Sequence, residues 1–316
     1  MPTTRQTIAA AYAECERRAR EHYENFPVAS LLLPKEKRRH VAAFYAFARQ
    51  ADDFADEPEH EGRRLERLAA WRRQLEEAAS GRATDPVFIA IAETLRSAPV
   101  PVRLLHDLIS AFEQDVRVSW YESFDDVLAY CRLSAIPVGR LLLHLFGHTG
   151  DGFMQQSDAI CTALQLTNFW QDVALDRDKG RCYIPREDQR RFGCGEEAIR
   201  DGVVTPAFAD LMRFQVDRTR AIFDRGAGLP AGVGGRLGFE LRLVLLGGRR
   251  ILDKIERAGF DVFRGRPVLR RTDWGRMVLR AALPGTAATA PTAGSAPAQA
   301  TTGSPDPARR RSRGKG

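Results

Sequence analysis

VAAFYAFARQADDFADE, residues 41–57, reads as one helix that is apolar nearly all round: Val41, Ala43, Phe44, Phe47, Ala48, Ala51, Phe54 and Ala55 cover most of its circumference. A helix of that composition belongs inside a protein. The exception is one stripe. At 100° per residue Tyr45, Arg49, Asp52 and Asp56 fall within an arc of about 60°. Asp52 and Asp56 are one turn apart on one face. Two carboxylates so placed repel each other and lose hydration, and they stay ionised only if a cation or strong donors compensate. Asp53 points about 80–100° away from the stripe and is expected to pair with Arg49. On this helix alone, a solvated stripe closed by that ion pair is an equally plain reading.

A second segment, LQLTNFWQDVALDRDKGRCYIP (164–185), repeats the pattern. Gln165, Asn168, Asp172 and Asp176 form a polar stripe of about 80° on a helix otherwise made of Leu164, Leu166, Phe169, Trp170, Val173, Ala174 and Leu175. If the two helices face each other, four acids can hold hard divalent ions. Oxygen ligands whose remaining positions are filled by water suit Mg²⁺, usually completed by substrate phosphates. Two or three such ions would make the acidic site attractive to a diphosphate and stabilise it as a leaving group, an effect of several kcal/mol. Arg49 beside the first pair, and Lys179 and Arg181 just after the second, are candidate diphosphate ligands; Tyr45 and Tyr183 are candidate donors to phosphate oxygens. Aromatic and aliphatic walls between the helices suit a long hydrocarbon and shield a carbocation from water.

The rest of the chain supports an all-α body. Apolar residues recur at three- and four-residue spacing, giving expected helices near 4–24, 35–57, 61–79, 86–96, 101–117, 124–148, 153–178, 205–227, 233–258 and 272–283, with loops at 179–203 and 259–271. Pro34 precedes the second helix and Asp273 is a candidate cap for the last. The 316 residues are 44% hydrophobic and 28% charged, ordinary for a globular chain. The five cysteines are scattered with no CxxC, and the six histidines show no HxH or HExxH, which disfavours disulfide and zinc frameworks. GxGxxG and GxxxxGK[ST] are absent. No uninterrupted apolar run approaches the ~18 residues of a membrane span, and the N-terminus lacks an apolar signal core, so a cytoplasmic protein is expected. The net charge is +7, but residues 285–316 hold five basic residues against Asp306, leaving +3 for residues 1–284. That Ala/Thr/Pro/Gly/Ser tail is expected to be disordered; its charge is weak support for nucleic-acid binding, the near-neutral body argues against it, and no nucleic-acid partner is expected. Against an anionic membrane the tail would add about 1 kcal/mol per basic residue, so peripheral contact with the inner face of the membrane is one expectation for it. The expected division is a helical domain over 1–284 and a tail over 285–316.

These two acidic segments, with the trailing GRCYIP, resemble the first and second aspartate-rich regions of the squalene/phytoene synthases, and the resemblance extends over most of residues 10–270. DDFAD alone also matches the DDxxD of chain-elongating prenyltransferases, but DVALD does not repeat that motif. ENFPVASLLLP (24–34), YAFARQADDFADE (45–57), YCRLSAIPVGRLLL (130–143), LTNFWQDVALDRDKGRCYIPRED (166–188) and LRLVLLGGRRILDKIERAGFDVFRGRP (241–267) look most like the hydroxysqualene synthases of the hopanoid pathway. The resemblance implies an isoprenoid-synthase-type helical bundle around a central cavity. It also implies conversion of presqualene diphosphate to hydroxysqualene with Mg²⁺ and without NADPH, and association with other squalene-pathway enzymes. It places Asp52, Asp56, Asp172 and Asp176 at the metal, and Tyr45, Arg49, Tyr130, Gln165, Asn168 and Arg181 at the diphosphate and reaction site. Asn25, in HYENF, stands where relatives carry a serine hydroxyl at the phosphate. Gln171 stands for an Arg, Gly248 for a Tyr, and Ile136 for a polar residue. From the residues alone, Tyr130 reads equally as a packed core tyrosine, and Gly247–Gly248 as a close helix contact. Head-to-head condensation of two prenyl diphosphates, and a non-catalytic helical partner of such an enzyme, are the remaining alternatives.

Overall fold

A computed structural model describes residues 4–21 and 33–282. Among these residues every regular element is helical, with one isolated parallel bridge between Trp120 and Cys182. The expected tail, and Asn25, lie outside the described residues.

The helices begin where local chemistry supplies partners for their first amide groups. Helix α1 spans Arg5–Glu21 and α2 spans Lys35–Asp56, directly after Pro34. A single 3₁₀ turn, Pro58–His60, separates α2 from α3, Arg64–Ala79. Asp85 accepts from the Val87 amide to cap α4, Pro86–Ser97, with proline at the first helical position where a missing N–H costs little. Helix α5 is Arg103–Arg117. Ser123 and Asp126 form a reciprocal capping box on α6, Phe124–Ser134.

The expected helix 124–148 is two helices. Proline at position 137 lacks the N–H that would continue the ladder, so the chain breaks at Ala135 and restarts as α7, Ile136–Phe146, which ends on left-handed Gly147. Taken together, Phe124–Phe146 reaches a mean hydropathy of 1.2 over 18 residues, enough by length and composition alone to cross a membrane, a feature that uninterrupted run length misses. Its two halves pack on α5 and α8.

The expected helix 153–178 is also divided. Helix α8 is Asp151–Gln171 and α9 is Val173–Asp178, with Asp172 at the junction (φ −106°, ψ 14°). The 179–203 segment is not all loop: it holds α10, Arg186–Arg191, and α11, Glu196–Arg200. Helices α12 (Pro206–Gly226), α13 (Leu229–Val233), α14 (Gly235–Arg257) and α15 (Arg271–Ala282) complete the bundle. Asp273 is the third residue of α15 rather than its cap, yet its carboxylate still takes the Arg270 amide (2.8 Å).

Two large apolar clusters flank the aspartate helices. One joins α1 to α5 around Phe47, Trp71 and Phe88, with Leu141 and Leu145 from α7. The other joins α6, α8, α12 and α14 around Trp170, Phe208 and Phe223. Trp170 is fully buried and its indole N–H donates to Thr219 (2.8 Å), so its polar end is satisfied inside the core. All five cysteines are free.

Glycine at 248 sits at a close three-helix contact. A Cβ there would lie 2.5 Å from Phe223 Cζ and 3.0 Å from Leu164 Cδ2, and Phe223 is wholly buried. The glycine is therefore not a vacancy left by a missing aromatic ring. Gly248→Tyr is expected to destabilise by about 1–3 kcal/mol through overpacking. A thermal melt checks this, and a variant melting at or above the wild-type temperature would show that the contact has slack.

Candidate diphosphate and carbocation site

The C-terminal end of α2 and the α8–α9 junction meet across the site. Lys179 and Arg181, expected beside the second acid pair, reach instead across to the first. Lys179 Nζ donates to Asp56 Oδ2 (2.6 Å) and Arg181 Nη2 to Asp56 Oδ1 (2.7 Å). Burial works to raise Asp56, but these two charged donors outweigh it and hold the carboxyl below its ordinary range. The crossing is fixed from behind. Residues 182–187 are stitched to 119–122 by Cys182 N–H to Ser119 O (2.8 Å), Arg186 N–H to Tyr121 O (3.0 Å) and Glu187 N–H to Glu122 O (3.0 Å).

Arg49 pairs as expected, with Asp53 (2.7 Å), and also touches Asp52 (3.1 Å). Its Nε is buried and has no hydrogen-bond partner among the described residues. Asp52 is raised to about 6 by burial and then by the neighbouring Asp56. Asp176 is raised further, to about 7, by burial and then by Asp172, and forms no ion pair among the described residues. Asp172 does have a partner: Arg266 grips it through Nε and Nη2 at 2.5 and 3.0 Å. The break at Asp172 does not scatter the stripe, because the i,i+4 bonds Asp172 N–H to Asn168 O and Asp176 N–H to Asp172 O (both 2.8 Å) continue through it. Asn168 is exposed and Gln165 half-buried on the same side of α8, and Tyr45 is half-buried on α2.

Two residues of the candidate site were not legible from spacing. Arg266 lies in an irregular Gly/Pro segment with no periodicity to place it. That segment is anchored by Gln171, whose side-chain amide donates to Pro267 O (2.5 Å) and so fastens the loop that delivers Arg266. Asp115, on α5, accepts from Tyr130 Oη (2.7 Å) and Tyr183 Oη (3.1 Å). The signal was present: Asp115 falls within about 40° of Leu104, Leu108 and Ala111, on the apolar stripe of α5. Burial raises its carboxyl to about 6, with Tyr130, Arg181 and Tyr183 working against the rise. Tyr183 was expected to donate to phosphate, but its single hydroxyl proton is committed to Asp115. Tyr183 stacks on Phe169 (centroids 3.9 Å apart, planes 5° apart) and contacts Tyr121 and Tyr130, forming an aromatic wall behind the acids. Ile136 lies elsewhere, in a cleft of about 500 Å³ with Leu128, Arg132 and Gln155 that includes none of Asp52, Asp56, Asp172 and Asp176.

No three acidic, histidine or cysteine side chains among the described residues converge tightly enough to chelate a single ion. The acids are arranged instead as a pair on each side of the gap, with cations interleaved.

The sequence of residues 19–273 matches the family model described as squalene/phytoene synthase. The chain belongs to the squalene/phytoene synthase family. Among curated relatives of the family, the 15-cis-phytoene synthase of Synechocystis sp. is 31% identical over 82% of this chain and 81% of its own length. That of Synechococcus elongatus is 29% identical over 82% and 88%. The structure of squalene synthase HpnC from Alicyclobacillus acidocaldarius superposes with a TM-score of 0.78 at 39% identity, covering 82% of this chain and 98% of that one. A dehydrosqualene synthase shares the fold (TM-score 0.79, 23% identity) over 87% of this chain and 96% of its own. The all-α bundle expected from periodicity and resemblance is thus the fold of this family.

Proposed function

We propose that this family member ionises presqualene diphosphate and captures the rearranged cation with water, giving hydroxysqualene. The observation that carries the reading is the clasp of Lys179 and Arg181 on Asp56. It brings two acidic helix ends together, with Asp52 and Asp176 pushed upward by burial and by their acidic neighbours, and with a buried Arg49 Nε that has no acceptor among the described residues. Likeness to a squalene synthase HpnC over nearly all of that chain supports the choice of a C30 substrate.

An all-oxygen donor set of carboxylates in repelling pairs fits a hard divalent cation. Mg²⁺ commonly binds through one or two carboxylates plus substrate phosphates, so a three-acid chelate is not required. Asp52, Asp56, Asp172 and Asp176 would hold it, and bound there it would neutralise the departing diphosphate. The chain's own cations do the rest. Arg49 offers Nε to a phosphate oxygen, and Lys179, Arg181 and Arg266 can turn from carboxylate to phosphate without leaving the site. As the C–O bond breaks, the electron pair leaves with the diphosphate. The cyclopropylcarbinyl cation then rearranges beside Phe169, Tyr183 and Tyr130, whose ring faces attract positive charge.

Purified protein given presqualene diphosphate and Mg²⁺, without NADPH, is expected to release hydroxysqualene. Squalene or unchanged substrate would overturn the reading. The phytoene synthase names of the curated relatives favour head-to-head condensation as a second reading. Farnesyl diphosphate and geranylgeranyl diphosphate, each supplied alone, test it, and accumulation of a cyclopropylcarbinyl diphosphate or of a C30 or C40 hydrocarbon from either arm would select it.

A further inference from the structure

Asp115 stands outside the two aspartate motifs, yet it is built into the site. Its two carboxylate oxygens each take one phenolic proton, Oδ2 from Tyr130 and Oδ1 from Tyr183. A phenol has one proton to give. With both protons turned toward Asp115, each phenolic oxygen has only lone pairs left for any further partner. The two rings cannot turn away, because Tyr183 is stacked on Phe169 and Tyr130 is wedged against Tyr121, Phe169 and Tyr183. The group adjoins the acids: Tyr183, which donates to Asp115, follows closely on Arg181, which grips Asp56 at 2.7 Å.

We propose that Asp115 is a positioning residue that makes this edge of the site accept hydrogen and positive charge and refuse phosphate oxygens. This rests on the reaction proposed above. There, Tyr130 holds the capturing water by one of its hydrogens. Water forms the new C–O bond with an oxygen lone pair. The hydrogen held by Tyr130 leaves as a proton to the phenolic oxygen, while the phenol's own proton passes to Asp115. Tyr130 is thereby restored, Asp115 becomes a neutral carboxylic acid, and the oxonium becomes an alcohol. Asp115 loses its proton to water when the products depart. The same orientation points the negative ends of two O–H dipoles at a developing cation, aligned before the reaction begins.

Asp115→Asn tests the assignment with little change of shape. The phenols reach different oxygens of Asp115, so the amide puts an acceptor oxygen before one of them and an NH₂ before the other, which must then turn its proton outward. The expected result is kcat lowered at least tenfold with KM within threefold of wild type, and a smaller share of alcohol relative to eliminated hydrocarbon. In a Tyr130→Phe background the same change should add nothing to the loss of alcohol, and Asp115→Glu should recover part of the lost kcat. A folded Asp115→Asn enzyme with kcat and product ratio within twofold of wild type overturns the proposal. Should Asp115→Asn fail to fold, proton NMR of the wild-type enzyme decides the matter. Two exchangeable phenolic protons are expected downfield of the amides, one lost in Tyr130→Phe and the other in Tyr183→Phe, and absence of both overturns the assignment. If wild-type enzyme makes no alcohol, the proposed reaction falls, and the kcat-against-KM split of Asp115→Asn still decides the positioning role by itself.

Discussion

Asp176→Asn is expected to remove activity while making the metal-free protein more stable. Asp176 is half-buried, sits one turn from Asp172, and forms no ion pair among the described residues, so its carboxyl is raised to about 7. A carboxyl raised in the folded state carries no penalty below its unfolded pKa. The penalty grows as pH rises through the window between about 4 and 7 and is complete above it. An amide of the same shape removes it. In EDTA at pH 8 the variant is expected to gain on the order of 1–3 kcal/mol, discounted for solvent screening, and to lose that advantage near pH 4. Activity should move the other way, falling roughly 10³-fold, because the anionic oxygen that the proposed metal requires is gone. Asp52→Asn should follow the same pattern with a smaller gain, since Arg49 already offsets part of its charge. Thermal melts at two pH values, paired with turnover measurements, check both halves.

The opposition of signs separates an enzyme from a non-catalytic helical partner. Carboxylates kept for structure are paired, as Asp273 is with Arg250 and Lys254 (both 2.8 Å), and their loss weakens the fold. A carboxylate held against its own electrostatics, as Asp176 is, relieves the fold when it is lost, so stability is not what keeps it there. Unchanged turnover in Asp176→Asn would sink the site as drawn, whatever happened to its melting temperature.

The helices and the acid stripes were legible because both obey a 3.6-residue period. Asp52 and Asp56, or Asp172 and Asp176, announce a shared face by spacing alone, and Pro34 announces a helix start by chemistry. Breaks were less legible. At Ala135 the break follows from Pro137, which the apolar pattern on both sides masks. At Asp172 nothing local marks the junction, since no proline or glycine stands there. Partners across the site were the least legible. That Lys179 and Arg181 would grip Asp56 depends on residues 182–187 lying against 119–122, a contact between segments about sixty residues apart that carries no periodic signature. Arg266 is hidden for the same reason, arriving from an irregular segment that Gln171 secures. Asp115 was hidden differently: a single acid on an apolar stripe is visible, but its two phenolic partners come from α6 and from the strap after α9.

Arg181→Met is expected to damage stability and activity together, the reverse of Asp176→Asn. Arg181 is 14% exposed and Asp56 19%, so their bond is largely withdrawn from water. Truncating one partner of such a pair leaves the other charge buried and uncompensated, at a cost of about 3 kcal/mol. Lys179 remains on Asp56, but its side chain is 55% exposed, and a solvated ammonium replaces little of what a buried guanidinium supplied. The expected drop in melting temperature is roughly 6–12 °C. Turnover should fall on the order of 10²-fold, since the same side chain faces the proposed leaving group and neutralises Asp115. Lys179→Met should cost less than 1 kcal/mol, in keeping with its exposure. Arg181→Lys should recover part of the stability but less of the activity, because an ammonium cannot reproduce the planar fork. The double variant Asp56→Asn with Arg181→Met supplies the internal check. With the orphaned carboxylate removed, it should melt above Arg181→Met alone, although it lacks one more polar contact. If it melts lower instead, the clasp stabilises by packing rather than charge, and the two acidic helix ends are held together by the 119–122 seam without it.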